Sequence, residues 1–215
     1  MWLFQKSLLE LWNSGVFMTN LYIASNYKNT IINLLLKNKD FVTLMNPPKS
    51  PHKNISTEDM LLGGVWFFNG KKYEEQGQIF DHNFVDETTT EQKTFVFVET
   101  DIDMIRQNLF TDFNLYVCVF TDKSLIRITD DTIPSINDVE IMGYNCGHYG
   151  NRVDILCDVV DRILNGNQKI KGIGDVEPAQ RGFCTIYSPS NKYYGKCLKY
   201  TISSLNEMED NCENY

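Results

Sequence analysis

Cys146-Gly147-His148 is the one place where a cysteine and a histidine stand side by side. A zinc site needs three or four such ligands, usually two to a knuckle. The nearest further sulfur, Cys157, falls on the apolar side of a helical pattern. The triplet therefore reads as a loop with a buried thiol. The three histidines are isolated from one another in the sequence. Asp101, Asp103, Asp130, Asp131, Asp138 and Glu140 can gather near one end of a sheet. Paired carboxylates bind Mg²⁺ or act as acid and base. No histidine or lysine stands near these to complete a mechanism, and solvated loop acids are the simpler reading. Gly172-Ile173-Gly174 lacks the third glycine of a dinucleotide fingerprint and lies between helix and strand, the reverse of the required order. GxxxxGK[ST], HExxH and GxSxG do not occur. No catalytic, cofactor-binding or metal-ligating residue is assigned, no cofactor is expected, and the chain is expected not to be an enzyme. The alternative is a small intracellular enzyme or ligand-binding domain built on the scattered acids.

The elements that would position these residues follow from periodicity. Residues 26–38 predict a helix with Ile31, Leu34 and Leu35 on one face and Ser25 or Asn26 as cap. Asp40 can cap one more turn, with Phe41, Leu44 and Met45 inward, before Pro47-Pro48 and Pro51 end it. Residues 46–64 read as a long polar connector of the kind that is mobile or used in binding. Leu61–Phe68 is an apolar run, Asn69-Gly70 a hairpin turn, and 80–85 a short strand. Residues 93–101 and 113–121 carry the densest β-branched and aromatic runs, as a hairpin with a long tip or as two neighbouring strands, with 104–112 as the loop. Their aromatics, with Trp66, Phe67 and Phe68, read as core. The stretch 122–142 is irregular.

Residues 151–164 give the second helix, with Val153, Leu156, Cys157, Val160, Ile163 and Leu164 on its apolar side and Asn151 with Asp154 as a capping box. Asp154, Asp158, Asp161 and Arg162 lie on the other side and are the candidate interface. Strand pieces are expected at 173–176 and 183–187. A half-buried strand follows over 193–205, with Gly195 as a bulge. The expected fold is α+β: an antiparallel or mixed sheet with two main helices packed on one face.

Composition sets the class. The chain is 42% hydrophobic and 13% aromatic, too apolar to be disordered, and its 215 residues fit one domain. Twenty basic against 28 acidic side chains give a net charge of −8, which argues against nucleic acid as a partner. The acidity serves solubility, or lines a face or lumen of an oligomer. Six cysteines without a repeat or a CxxC predict a reducing compartment in which disulfides are not formed, with Cys118 and Cys157 as buried thiols. No apolar stretch approaches the ~20 residues that span a bilayer, so no membrane partner is expected. Residues 1–17 form an N-terminal extension, either a poor imitation of a signal peptide or the product of a misplaced start, since Met18-Thr19-Asn20 reads as a natural beginning. The body of the domain is then 18–205, with insertions at 46–64 and 122–142, and 206–215 is an acidic frayed tail.

The opening helix, the strands KTFVFVETD and FNLYVCVFTD, the helix GNRVDILCDVVDRILNG, the turn IKGIGDVE and the closing strand YYGKCLKYTIS together resemble the tail terminator, or tail-completion, proteins of tailed bacteriophages. The resemblance spans roughly residues 25–205, and the insertions 46–64 and 122–142 depart from it. It implies a virion protein of the neck, assembled in the host cytoplasm. That protein would form a homohexameric ring, capping the tail tube and joining it to a head-tail connector or stopper protein. Partners are then further copies of the chain, the tail tube protein and the connector, with no catalysis.

Overall fold

The structure is a computed structural model and describes residues 20–83, 91–106, 110–128, 150–165, 170 and 173–205. Expectations for residues 1–17, for Cys146-Gly147-His148, for Asp130, Asp131, Asp138 and Glu140, and for the tail 206–215 lie outside these.

The chain opens with α1 (Asn20–Lys37), which begins six residues before the expected start. Ala24, Tyr27, Ile31 and Leu35 form its buried stripe. Asn38 breaks the helix, and its side chain, not that of Asp40, caps α2 (Lys39–Met45) by accepting from the Phe41 amide at 2.9 Å. Phe41, Leu44 and Met45 are fully buried, as their spacing predicts. The connector 46–64 is more ordered than its polarity suggests. It contains α3 (Thr57–Leu62), closed by a reciprocal capping box between Ser56 and Asp59, and it buries Ile55, Met60 and Leu61.

β1 (Gly64–Phe68) and β2 (Lys71–Glu75) form a separate two-stranded antiparallel sheet. Asn69 and Gly70 join them with φ of 50° and 75°, the left-handed pair that a two-residue hairpin turn requires. The main sheet is six-stranded, in the order β3 (Ile79–Phe80), β4 (Thr94–Arg106), β5 (Phe110–Asp122), β8 (Tyr193–Leu205), β6 (Val176–Pro178), with β7 (Cys184–Tyr187) also on β8. β3 lies parallel to β4 and all other pairs are antiparallel. The fold is thus α+β with a mixed, mostly antiparallel sheet.

β4 and β5 pair antiparallel along their length and reach further than expected. Of the polar stretch 104–112, residues 104–106 and 110–112 are strand, with a register shift between Ile102 and Met104. Open edges and solvated faces tolerate such polar residues, which is why composition alone suggested a loop. β8 pairs with β5 over thirteen residues without interruption, so Gly195 is not a bulge. A side chain there would strike the Val119 carbonyl at 2.2 Å and the Phe120 Cβ at 2.5 Å, so its role is close approach of β8 to β5.

The period of two divides the sheet cleanly. Val96, Val98, Phe113, Leu115, Val117, Val119, Leu198, Tyr200 and Ile202 face the helices. α1 lies over β4, tied by Lys28–Glu99 at 2.9 Å, and α4 (Arg152–Leu164) lies over β5 and β8. The opposite face carries a second apolar cluster, Phe95, Phe97, Cys118, Phe120 and Tyr193, flanked by Phe80 and Tyr187.

Cys118 and Cys197 stand directly opposite one another in the β5–β8 register and are joined as a disulfide. This overturns the expectation of unbonded thiols. The pair is 79 residues apart in sequence, so no spacing rule reveals it, and closing a loop of that size contributes on the order of 4 kcal/mol in the chain-entropy account. Cys157 is free and buried as expected, and burial pushes its thiol up to about 12.

Leu156 is fully buried against β5 and β8. Leu156→Ala should cost about 2–5 kcal/mol in a denaturant titration. A loss well below that would mean that α4 presents another face to the sheet.

Candidate interface

α4 is capped by Asn151, whose side chain accepts from the Val153 amide at 2.9 Å. Eight of its thirteen residues are buried, among them Val153, Leu156, Val160 and Leu164, while Ile163 is half-buried. What remains is a narrow polar stripe at helical spacing: Asp154, Asp158, Asp161 and Arg162. The structure brings these four together on one face, as the periodicity predicts.

It also gives them internal partners. Asp154 forms an ion pair with Lys196 of β8 at 2.7 Å. Their hydrogen bond is the main cause of the raised pKa of Lys196. Asp158 pairs with Arg162 one turn on, at 2.8 Å. Asp161 accepts from the Tyr200 hydroxyl at 3.1 Å. Tyr200 is fully buried, and burial, reinforced by the Asp161 carboxylate, raises its pKa far above that of an ordinary phenol, so it stays a neutral donor. The stripe fastens α4 to β8 at two points, through Lys196 and Tyr200, and two of its three carboxylates are met by cations.

Arg152, at the start of the same helix, went unassigned in the sequence. It is fully buried, and its Nη1 donates to the Leu44 carbonyl at 3.2 Å, which ties α4 to α2. Its Nε and Nη2 have no partner among the described residues, and desolvation lowers its pKa to about 10. No sequence signal marks this arginine, since the first turn of a helix is an ordinary place for an exposed one.

Other surfaces are less neutralised. Of the scattered acids, Asp101 and Asp103 meet at one side chain, Asn114, which donates to both at 2.8 and 3.1 Å. The Tyr116 hydroxyl also reaches Asp101, at 3.4 Å. No group of three metal-ligating side chains occurs among the described residues. The β1–β2 hairpin is anchored on its inner face, where His52 stacks on Phe68 at 4.1 Å between ring centres. At its base, Lys93 bridges Glu75 and Glu91. Burial works against the charge on Lys93, but its hydrogen bonds to the two glutamate carboxylates outweigh it and hold its pKa up. The outer face of the hairpin shows Val65, 48% exposed, and Phe67, 70% exposed.

A family model matches residues 29–202, which spans α1 to β8 and every surface just described. The chain belongs to the YomW family. This is a phage-derived family, so the resemblance to phage proteins holds at that level. No curated protein and no solved structure matches the chain. No helix among the described residues is long and apolar enough to cross a membrane.

The internal pairing of the stripe separates two residues that look alike in sequence. Asp161→Lys should destabilise this YomW-family chain by about 1–3 kcal/mol, because it leaves the buried Tyr200 hydroxyl without an acceptor. Asp158→Lys should cost less than about 1 kcal/mol, because it breaks only a part-exposed pair. Urea denaturation of the two variants checks the order, and equal losses would contradict the Tyr200 contact.

Proposed function

We propose that this chain is a structural protein of the phage neck, a tail-completion subunit that forms a ring on the tail tube and joins it to the head connector. Membership of a phage-derived family over residues 29–202 is the observation that carries this reading. The α+β architecture is compatible with it. A subunit with a rigid central sheet and a strand edge left open can meet its own copies through two different patches, and such contacts close into rings when the rotation between copies allows.

On this reading the partners are further copies of the chain, the tail tube protein and the connector or stopper ring. The protein assembles in the host cytoplasm and ends in the virion neck. The working parts are surfaces, and the carboxylates at Asp101 and Asp103 contribute charge to one of them.

Native mass spectrometry and negative-stain images of the purified chain, alone and mixed with tail tubes of the phage that encodes it, test the reading. Closed rings, free or seated on tube ends, are expected. A monomer under both conditions would rule the ring out.

A further inference from the structure

Two cysteines are free among the described residues, Cys157 on α4 and Cys184 on β7. The ties between α4 and β8 fix where Cys157 lies. Asp154 meets Lys196, and Asp161 meets Tyr200. Between these points the helix climbs about 10 Å and the strand advances about 13 Å, so the midpoints of the two spans lie together. Near those midpoints stand Cys157 and Leu198, which share one core cluster. Around the helix, Cys157 falls between the inward stripe of Val153, Leu156 and Val160 and the flank that carries Asp154 and Asp161. It therefore sits on the side of α4 that is turned towards β8.

Cys184 is the cross-strand neighbour of Leu198. Residues directly opposite one another share a face of the sheet, and Leu198 faces the helices, so Cys184 does too. β7 lies along the edge of β8 that is turned away from β5. The margin between α4 and the sheet thus carries a buried thiol on the helix and an exposed thiol on the strand. Burial first, and the Cys184 sulfur second, push the Cys157 thiol up, which places the two sulfurs within electrostatic reach of one another.

We propose that Cys157 and Cys184 form a second disulfide, a clasp between α4 and the edge strand β7, when the chain meets a small-molecule disulfide. Thiol–disulfide exchange needs access, so the exposed Cys184 reacts first. Its thiolate attacks one sulfur of the oxidant. The oxidant's sulfur–sulfur bond breaks, and one small thiol leaves with the proton that Cys184 gave up. Cys157 then loses its proton and attacks the Cys184 sulfur of the mixed disulfide, and the second small thiol leaves with that proton. Two protein thiols are oxidised, and one small disulfide is reduced to two thiols.

The strand has the freedom this needs. β7 is four residues long and is hydrogen-bonded only to β8 among the described residues, so it can adjust to the short span that a disulfide bridges. The Cys118–Cys197 bond lies on the opposite face of β8, in the aromatic cluster, and does not exchange with this pair. The inference stands on the packing of α4, β8 and β7 and does not depend on the neck reading.

Peptide mapping tests it. The full chain with Cys146→Ser and Cys212→Ser, which removes the two remaining cysteines, is incubated with oxidised glutathione, alkylated and digested with trypsin. Cleavage after Arg152, Arg162, Arg181 and Lys192 leaves Cys157 in peptide 153–162 and Cys184 in peptide 182–192. These two peptides should be recovered joined, with neither cysteine alkylated. Adding Cys157→Ser should stop the reaction at a glutathione adduct on Cys184. Adding Cys184→Ser should leave Cys157 without an adduct. Circular dichroism establishes that each variant is folded, and the same digest of the unsubstituted chain reads the pair directly if the background variant does not fold. A folded chain in which Cys184 stops at the glutathione adduct although Cys157 is present, or in which Cys184 is joined to Cys118 or Cys197, would overturn the proposal.

Discussion

Everything else in this protein is arranged around a strand that is paired along both edges and covered on both faces. β5 runs antiparallel to β4 on one side and to β8 on the other. Phe113, Leu115, Val117 and Val119 point to the helices, while Cys118 and Phe120 point to the aromatic cluster. A strand in that position must satisfy its backbone within the sheet and its side chains within two separate cores. The Cys118–Cys197 bond then fixes β8 to β5 at mid-length. The buried Thr94–Thr121 pair, 2.9 Å between hydroxyls, fixes β4 to β5 near the start of the hairpin.

The helices and the hairpin are consequences of that arrangement. α1 and α4 each cover the strand nearest to them, and α2 fills the gap, held by Arg152 to α4. Gln78, also buried, donates to the carbonyls of Met45 and Thr94 and so joins α2 to the start of β4. The β1–β2 hairpin stands outside the double-sided core, which is why its outer face keeps Val65 and Phe67 in water.

Periodicity made some of this legible. The apolar stripe of α4, the Asn69-Gly70 turn and the alternation of Leu198, Tyr200 and Ile202 all appear in the structure where their spacing places them. What the sequence hid has a common cause: each contact depends on residues far apart in the chain. Cys118 meets Cys197, Asp161 meets Tyr200, and Arg152 meets Leu44 only once the sheet has brought them together. The start of α1 was missed for another reason. Leu21 and Tyr22 are exposed, so the first turn carries little of the inward stripe. The polar ends of β4 and β5 read as loop because Thr111 is buried without being apolar, while Met104 and Ile105 are half-exposed and carry no alternation with their neighbours. The polar stripe of Asp154, Asp158, Asp161 and Arg162 does share one face of α4, as its spacing implies, and there it finds partners within the chain.

Residue-resolved hydrogen exchange on the native chain tests the primacy of β5 most directly. The amides of Val117, Cys118 and Val119 should exchange only through global unfolding, while those of the β1–β2 hairpin exchange through a much cheaper local opening. Exchange at Val117–Val119 as fast as in the hairpin, or faster, would contradict the account.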